Sequence, residues 1–168
     1  IMGIVNVTPD SFCDGGRYFG TGDALIHARE LVKQGADVID IGGESTRPGA
    51  APVSVEQELD RVLPVVEALA ADGVLVSIDT SKPEVMDAAL HVGATMINDV
   101  NALQAEDAIA VAVRHDAQVC LMHKQGTPVD MQDQPAYDDV VQEVLDFFEV
   151  RIEACLAAGM DADRIILD

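Results

Sequence analysis

Six short, mostly apolar runs recur along the chain, at residues 2–8 (MGIVNVT), 37–43 (DVIDIGG), 74–80 (VLVSIDT), 94–100 (ATMINDV), 118–123 (QVCLMH) and 164–168 (RIILD). Each reads as a strand buried on both faces, as parallel sheets require. Between the runs the apolar period lengthens to that of a helix. Residues 23–34 place Leu25, Ile26, Leu31 and Val32 on one helical face and stop at Gly35, a C-terminal breaker. Ser54 with Gln57, and Ser81 with Glu84, have the spacing of capping boxes and predict the starts of the next two helices. Pro64 predicts a kink inside the first of these. Residues 105–115 predict a short helix, and 138–158 a long one ending at Gly159.

The order is therefore strand and helix in alternation, the pattern of an α/β protein with a parallel sheet. The polar residues decide between an open and a closed sheet. Asn6 and Thr8, Glu44 to Arg47, Asp79 and Thr80, Asn98 and Asp99, His123 and Asp168 all lie at or just past the carboxyl end of a strand. In a (β/α)8 TIM barrel those ends form one ring around an active site, whereas a doubly wound sheet gathers them at a single switch point. The first strand is followed by no GxGxxG, which also disfavours a dinucleotide fold. The expectation is one domain over 1–168 holding about the first six βα units of such a barrel. It includes a start that is cut, because an apolar run is already under way at Ile1, and about two further units after Asp168. Residues 124–136 read as a long βα loop.

Charge narrows the choice of ligand. Lys+Arg number 10 against 30 Asp+Glu, a formal charge of −20, which repels nucleic acid and anionic membranes at long range. No apolar stretch reaches the length of a membrane span. Cys13, Cys120 and Cys155 are an odd number at wide spacing, which gives neither a disulfide frame nor a zinc site and fits a reducing cytoplasm. An anionic substrate must then be held by local donors.

Candidates follow from side-chain chemistry. Asp79, Asn98 and Asp168 combine carboxylate acceptors with an amide that both donates and accepts, which suits the edge of a flat heterocycle. Singly, each reads better as capping a helix or fixing a turn; convergence on one rim reverses that in favour of a ligand. Arg47, next to Thr46 and among glycines, suits phosphate oxygens, or else pairs with Glu44 or another surface acid. Asn6 offers a neutral oxygen acceptable to Mg²⁺, a weak signal by itself. His123 reads as a structural hydrogen-bonder, and His27, His91 and His115 lie on helical patterns.

In the order NVTPDSFCDGG, IDIGGESTRPGA, SIDTSKPEV, INDV, CLMHKQG and IILD, these segments closely resemble the dihydropteroate synthases of folate biosynthesis. The likeness covers the whole chain, which would be the amino-terminal two thirds of such an enzyme. The resemblance implies a TIM barrel that joins 6-hydroxymethyl-7,8-dihydropterin pyrophosphate to p-aminobenzoate and releases pyrophosphate. It implies that Asp79, Asn98 and Asp168 hold the pterin edge, with Ile4, Val100 and Met122 packed around the ring. Asn6 would ligate Mg²⁺. Thr46 and Arg47 would lie on a loop near the pyrophosphate, and Phe12 and Pro48 would wall the p-aminobenzoate pocket, where sulfonamides compete. Asp79, Asn6 and Arg47 would carry the catalysis. Cys13 and Lys124 stand where the family often has Ser and Met. The resemblance allows a homodimer, and it implies that a chain with these residues alone is inactive. Two other readings are a related pterin-binding methyltransferase barrel, which would not need the TPDSF and ESTRPG loops, and a non-catalytic pterin-binding module that has lost its last units.

Overall fold

The computed structural model describes residues 1–8, 19–44, 52–126 and 136–168. Its strands are β1 (Met2–Asn6), β2 (Val38–Gly42), β3 (Leu75–Asp79), β4 (Met96–Asp99), β5 (Gln118–Leu121) and β6 (Ile165–Leu167). Between them lie α1 (Phe19–Lys33), α2 (Val55–Ala71), α3 (Pro83–His91), α4 (Ala108–Arg114) and α5 (Val140–Ala157), with a 3-10 turn at Ala162–Arg164 leading into β6. Every expected strand is present and shorter at its carboxyl end.

All strands pair in parallel in the order β1-β2-β3-β4-β5-β6. A sheet wound in one direction, with right-handed crossovers, must put every helix on the same face. That face is the core. Val5, Ile39, Ile41, Val76, Ile78, Ile97, Val119 and Leu121 pack there against helical residues such as Val62, Leu69, Met86 and Val111. The intervening residues, Ile4, Asp40, Ser77, Met96, Asn98 and Cys120, lie outside this cluster and line the opposite face. One apolar and one partly polar face, in this order, are those of a (β/α)8 barrel and not of a doubly wound sheet.

The helices follow the sequence with two corrections. The Ser54–Gln57 capping box forms as expected, with both reciprocal bonds present. The helix it opens runs on through Pro64 to Ala71. Gly35 (φ 101°) and Gly159 (φ 95°) take the left-handed conformation that ends α1 and α5. The Ser81–Glu84 box does not form: α3 starts one residue later, with Lys82 at the cap and Pro83 in its first turn. The Ser81 hydroxyl donates instead to Asp99 Oδ1, at 2.5 Å. On α1 the buried stripe is Ala24 and Ala28, flanked by Leu25, Leu31 and Val32, while Ile26 is 68% exposed and points away. The apolar pattern predicts a wide face; the buried one is a narrow stripe of small residues. Among the described residues no helix is long and apolar enough to cross a membrane.

Candidate active site

Parallel register carries side chains of neighbouring strands onto one row. Asn6 lies beside Gly42, Gly42 beside Asp79, Asp79 beside Asn98 and Asn98 beside Cys120. The row beneath it runs Ile4, Asp40, Ser77, Met96. Gly42 explains how Asn6 and Asp79 meet across a strand that separates them. A Cβ at Gly42 would sit 3.3 Å from both Asn6 Oδ1 and Asp79 Oδ2, so the absent side chain leaves the space that the two oxygens share. Gly42→Ala is accordingly expected to leave thermal stability unchanged or slightly raised, since the backbone there needs no positive φ. The same variant should lose ligand affinity by about tenfold as the two side chains are pushed apart. Thermal melts beside titration calorimetry would check both.

The lower row orients the upper. Asp40 is buried, and its Oδ2 accepts a 3.0 Å hydrogen bond from Asn98 Nδ2. Because the acceptor is a carboxyl group, the amide must turn its NH₂ toward Asp40, which leaves Asn98 Oδ1 and one N–H for a ligand. Among the described residues, Asp40 Oδ1 and Ser77 Oγ are buried with no partner of hydrogen-bonding geometry. Burial raises the Asp40 pKa, opposed by the neighbouring Ser77 and Asn98.

Asp79 is the most perturbed group of the site. Burial, reinforced by the negative charges of Asp40, Asp99, Glu58 and Glu44, lifts its pKa from 3.8 to about 7. A carboxyl group poised near neutrality in a cleft is a signature of a functional site. Asp99, next to Asn98, plays a structural part. Fully buried, it accepts from Ser81 Oγ and from the backbone N–H groups of Asn101 and Leu103. Those bonds shape a turn whose Ala102 and Leu103 have positive φ. Arg151 of α5 secures it by donating to both their carbonyls.

Asp168 follows β6 and stays in the ladder, its N–H donating to Leu121 O and its carbonyl accepting from His123 N–H. Burial first, then the charges of Asp168 and Asp40, push the Cys120 thiol up to about 11, so the thiol is inert. Val100 and Met122, one residue past their strands, are half-buried at the rim, and Ile4 is 62% exposed on the inner face. His123 packs its ring edge-on against Phe147, 5.0 Å between centroids, in keeping with a structural role. Phe12, Thr46, Arg47 and Pro48 lie outside the described residues.

Among the described residues no group of three or more His, Cys, Asp or Glu side chains could hold a metal ion. Asn6, with its oxygen beside the Asp79 carboxylate, fits a divalent cation that takes most of its ligands from water and phosphate.

A parallel α/β sheet in sequential order, with carboxylates and amides gathered at its strand tips, defines a segment of a (β/α)8 barrel. The chain belongs to the pterin binding enzymes, a family that matches residues 2–168. Its curated relatives include the dihydropteroate synthases of Escherichia coli (strain K12) and Neisseria meningitidis serogroup B, each 52% identical over the whole of this chain and 60% of their own length. Among solved structures, the dihydropteroate synthase of Yersinia pestis in a sulfonamide drug complex superimposes with a TM-score of 0.92 at 52% identity, over 99% of this chain and 61% of that one. The Xanthomonas albilineans dihydropteroate synthase with 4-aminobenzoic acid gives 0.91 at 51% identity, over 99% and 59%. The chain thus spans about 60% of the length of the curated relatives it matches.

Sequence reading missed Asp40, Glu58 and Lys82. Asp40 was visible as the acid that interrupts the DVIDIGG run. Glu58 was visible as the charge on the apolar stripe Val55, Val62, Val65, Leu69.

Proposed function

We propose that this protein carries the pterin half of a dihydropteroate synthase, the enzyme that joins 6-hydroxymethyl-7,8-dihydropterin pyrophosphate to p-aminobenzoate. The observation that carries this is the row Asn6, Gly42, Asp79, Asn98, with two acceptor-rich side chains next to an oriented amide. Asp79 and Asp168 accept from N–H groups along the pterin edge, Asn98 supplies a donor and an acceptor, and Ile4, Val100 and Met122 pack on the ring. Loss of pyrophosphate leaves positive charge on the methylene of the pterin. The nearby carboxylate of Asp79 stabilises that charge electrostatically while the amine of p-aminobenzoate attacks. Mg²⁺ at Asn6 would neutralise charge on the departing pyrophosphate. Thr46 and Arg47 serve the pyrophosphate, and Phe12 and Pro48 the aminobenzoate ring. Solved relatives that hold 4-aminobenzoic acid or 7,8-dihydropteroate support this assignment. A cytoplasmic location and a homodimer belong to the same reading.

The test is synthesis of 7,8-dihydropteroate from the two substrates with Mg²⁺ by the chain completed to the length of its relatives, alongside pterin binding by calorimetry. Asp168→Ala is expected to abolish pterin binding, a loss of at least about a hundredfold for a charge-assisted pair with its partner groups left unmatched. Affinity retained by that variant would remove Asp168 from the site.

A further inference from the structure

The connection from β4 to α4 runs against the preferences of its own residues. Among the described residues four that are not glycine have positive φ, and three of them, Ala102 (φ 50°), Leu103 (φ 55°) and Asp107 (φ 69°), lie here. That backbone is unfavourable for any residue with a Cβ and persists only where its surroundings hold it. Ala102 and Leu103 are both buried. Two sets of bonds hold their turn. From within, the Asp99 carboxylate accepts from the N–H groups of Asn101 and Leu103, and the Asp99 carbonyl accepts from Ala102 N–H at 2.9 Å. From outside, Arg151 donates from Nε to Ala102 O at 2.9 Å and from Nη2 to Leu103 O at 2.8 Å.

Packing does not account for an arginine at this place on α5. Position 151 falls between Phe148 and Cys155, the buried residues of that helix, at the spacing that puts all three on one face. An apolar side chain would continue that face. Among the described residues no carboxylate forms an ion pair with Arg151, and its planar fork goes to the two carbonyls alone. The turn it grips adjoins the pterin row directly. Asn98 and Val100 flank Asp99 in the chain. Asp99 also accepts from Ser81 Oγ, and Asn98 O accepts from Thr80 N–H at 3.1 Å, so the same turn is fastened to the residues that follow Asp79.

We infer that Arg151 is a positioning residue for the pterin: by gripping the two positive-φ carbonyls it keeps the turn after β4 closed on Asp99, and so fixes Asn98 and Val100 where the ring meets them. The inference rests on the proposed function for the identity of that ring. Amide hydrogen exchange, calorimetry with 6-hydroxymethyl-7,8-dihydropterin pyrophosphate and steady-state kinetics, all on the chain completed to the length of its relatives, test it together. In Arg151→Met, which keeps the apolar stem, exchange at the Leu103 amide is expected to quicken at least about tenfold while Ile97 of β4 and Val119 of β5 keep their protection. Kd for the pterin should rise about tenfold, with KM for p-aminobenzoate changed less than about threefold. Glycine takes a positive φ without the penalty of a Cβ. Adding Ala102→Gly to Arg151→Met should therefore slow Leu103 exchange again and bring the pterin Kd to within about threefold of wild type. Arg151→Lys, a point donor in place of the fork, should fall between wild type and Arg151→Met. Unchanged Leu103 exchange in Arg151→Met, a pterin Kd that stays put while exchange quickens, protection lost equally across β4 and β5, or no recovery on adding Ala102→Gly would each overturn the inference. A wild-type protein that binds no pterin would sink the proposed function instead, and Leu103 exchange in the same variants would then decide whether Arg151 holds the turn.

Discussion

At pH 8, Asp79→Asn is expected to make the protein more stable while costing it at least about a hundredfold in pterin affinity. The unfolded carboxyl ionises near 3.8 and the folded one near 7, so between those values the folded state keeps a proton that the unfolded state has released. The stabilisation from this group is fully present below about 3.8 and is lost as pH rises through 7, by up to roughly 4 kcal/mol. Asparagine has no charge to bury, so the variant keeps that stability at pH 8. A chain of this size gains about 2–4 °C in Tm per kcal/mol. Melting curves from pH 4 to 8 should show the wild type losing more Tm with rising pH than the variant, in which Asp40 still carries a raised pKa. Binding runs the other way: N–H groups on the ligand need the ionised acceptor, so wild-type affinity falls about tenfold per pH unit below 7. A variant no more stable than wild type at pH 8 would show that the acids around Asp79 do not act on it as described.

This tension explains how much of the site was legible in the sequence. Strand cores were plain because runs such as VIDI and VCL have no place except between a helix layer and a barrel interior. Asn6, Asp79, Asn98 and Asp168 stood out because each interrupts or ends such a run with a polar residue that packing does not need. Interactions between distant segments were not legible. Ser81 has capping-box spacing to Glu84, yet its hydroxyl goes to Asp99, which needs three donors to be buried without cost. No spacing rule encodes a partner 18 residues away. Ile26 failed for a related reason: periodicity gives the face of a helix but not its width, and the narrow buried stripe of Ala24 and Ala28 leaves Ile26 outside. Phe12, Thr46, Arg47 and Pro48, named from the resemblance, fall outside the described residues, so their placement rests on that resemblance.

Asn98→Ala is the second large effect, and it separates the two duties of the amide. Removing Asn98 strips the ligand of one donor and one acceptor, and strips the buried Asp40 carboxyl of its 3.0 Å donor. Pterin affinity should fall about a hundredfold or more, and stability by about 1–3 kcal/mol, the usual cost of leaving a buried polar group unpaired. Asp40→Asn added to Asn98→Ala removes the buried acid. The double variant should recover most of the lost Tm and none of the lost affinity, because the ligand still meets no amide at position 98. By itself Asp40→Asn keeps an acceptor for Asn98 but deletes the largest of the charges that raise Asp79. Its acid limb of pterin binding should therefore shift to lower pH, with affinity at pH 8 within about threefold of wild type. If the double variant regains affinity along with Tm, Asn98 acts only as the lid on a buried acid and not as a ligand for the pterin edge.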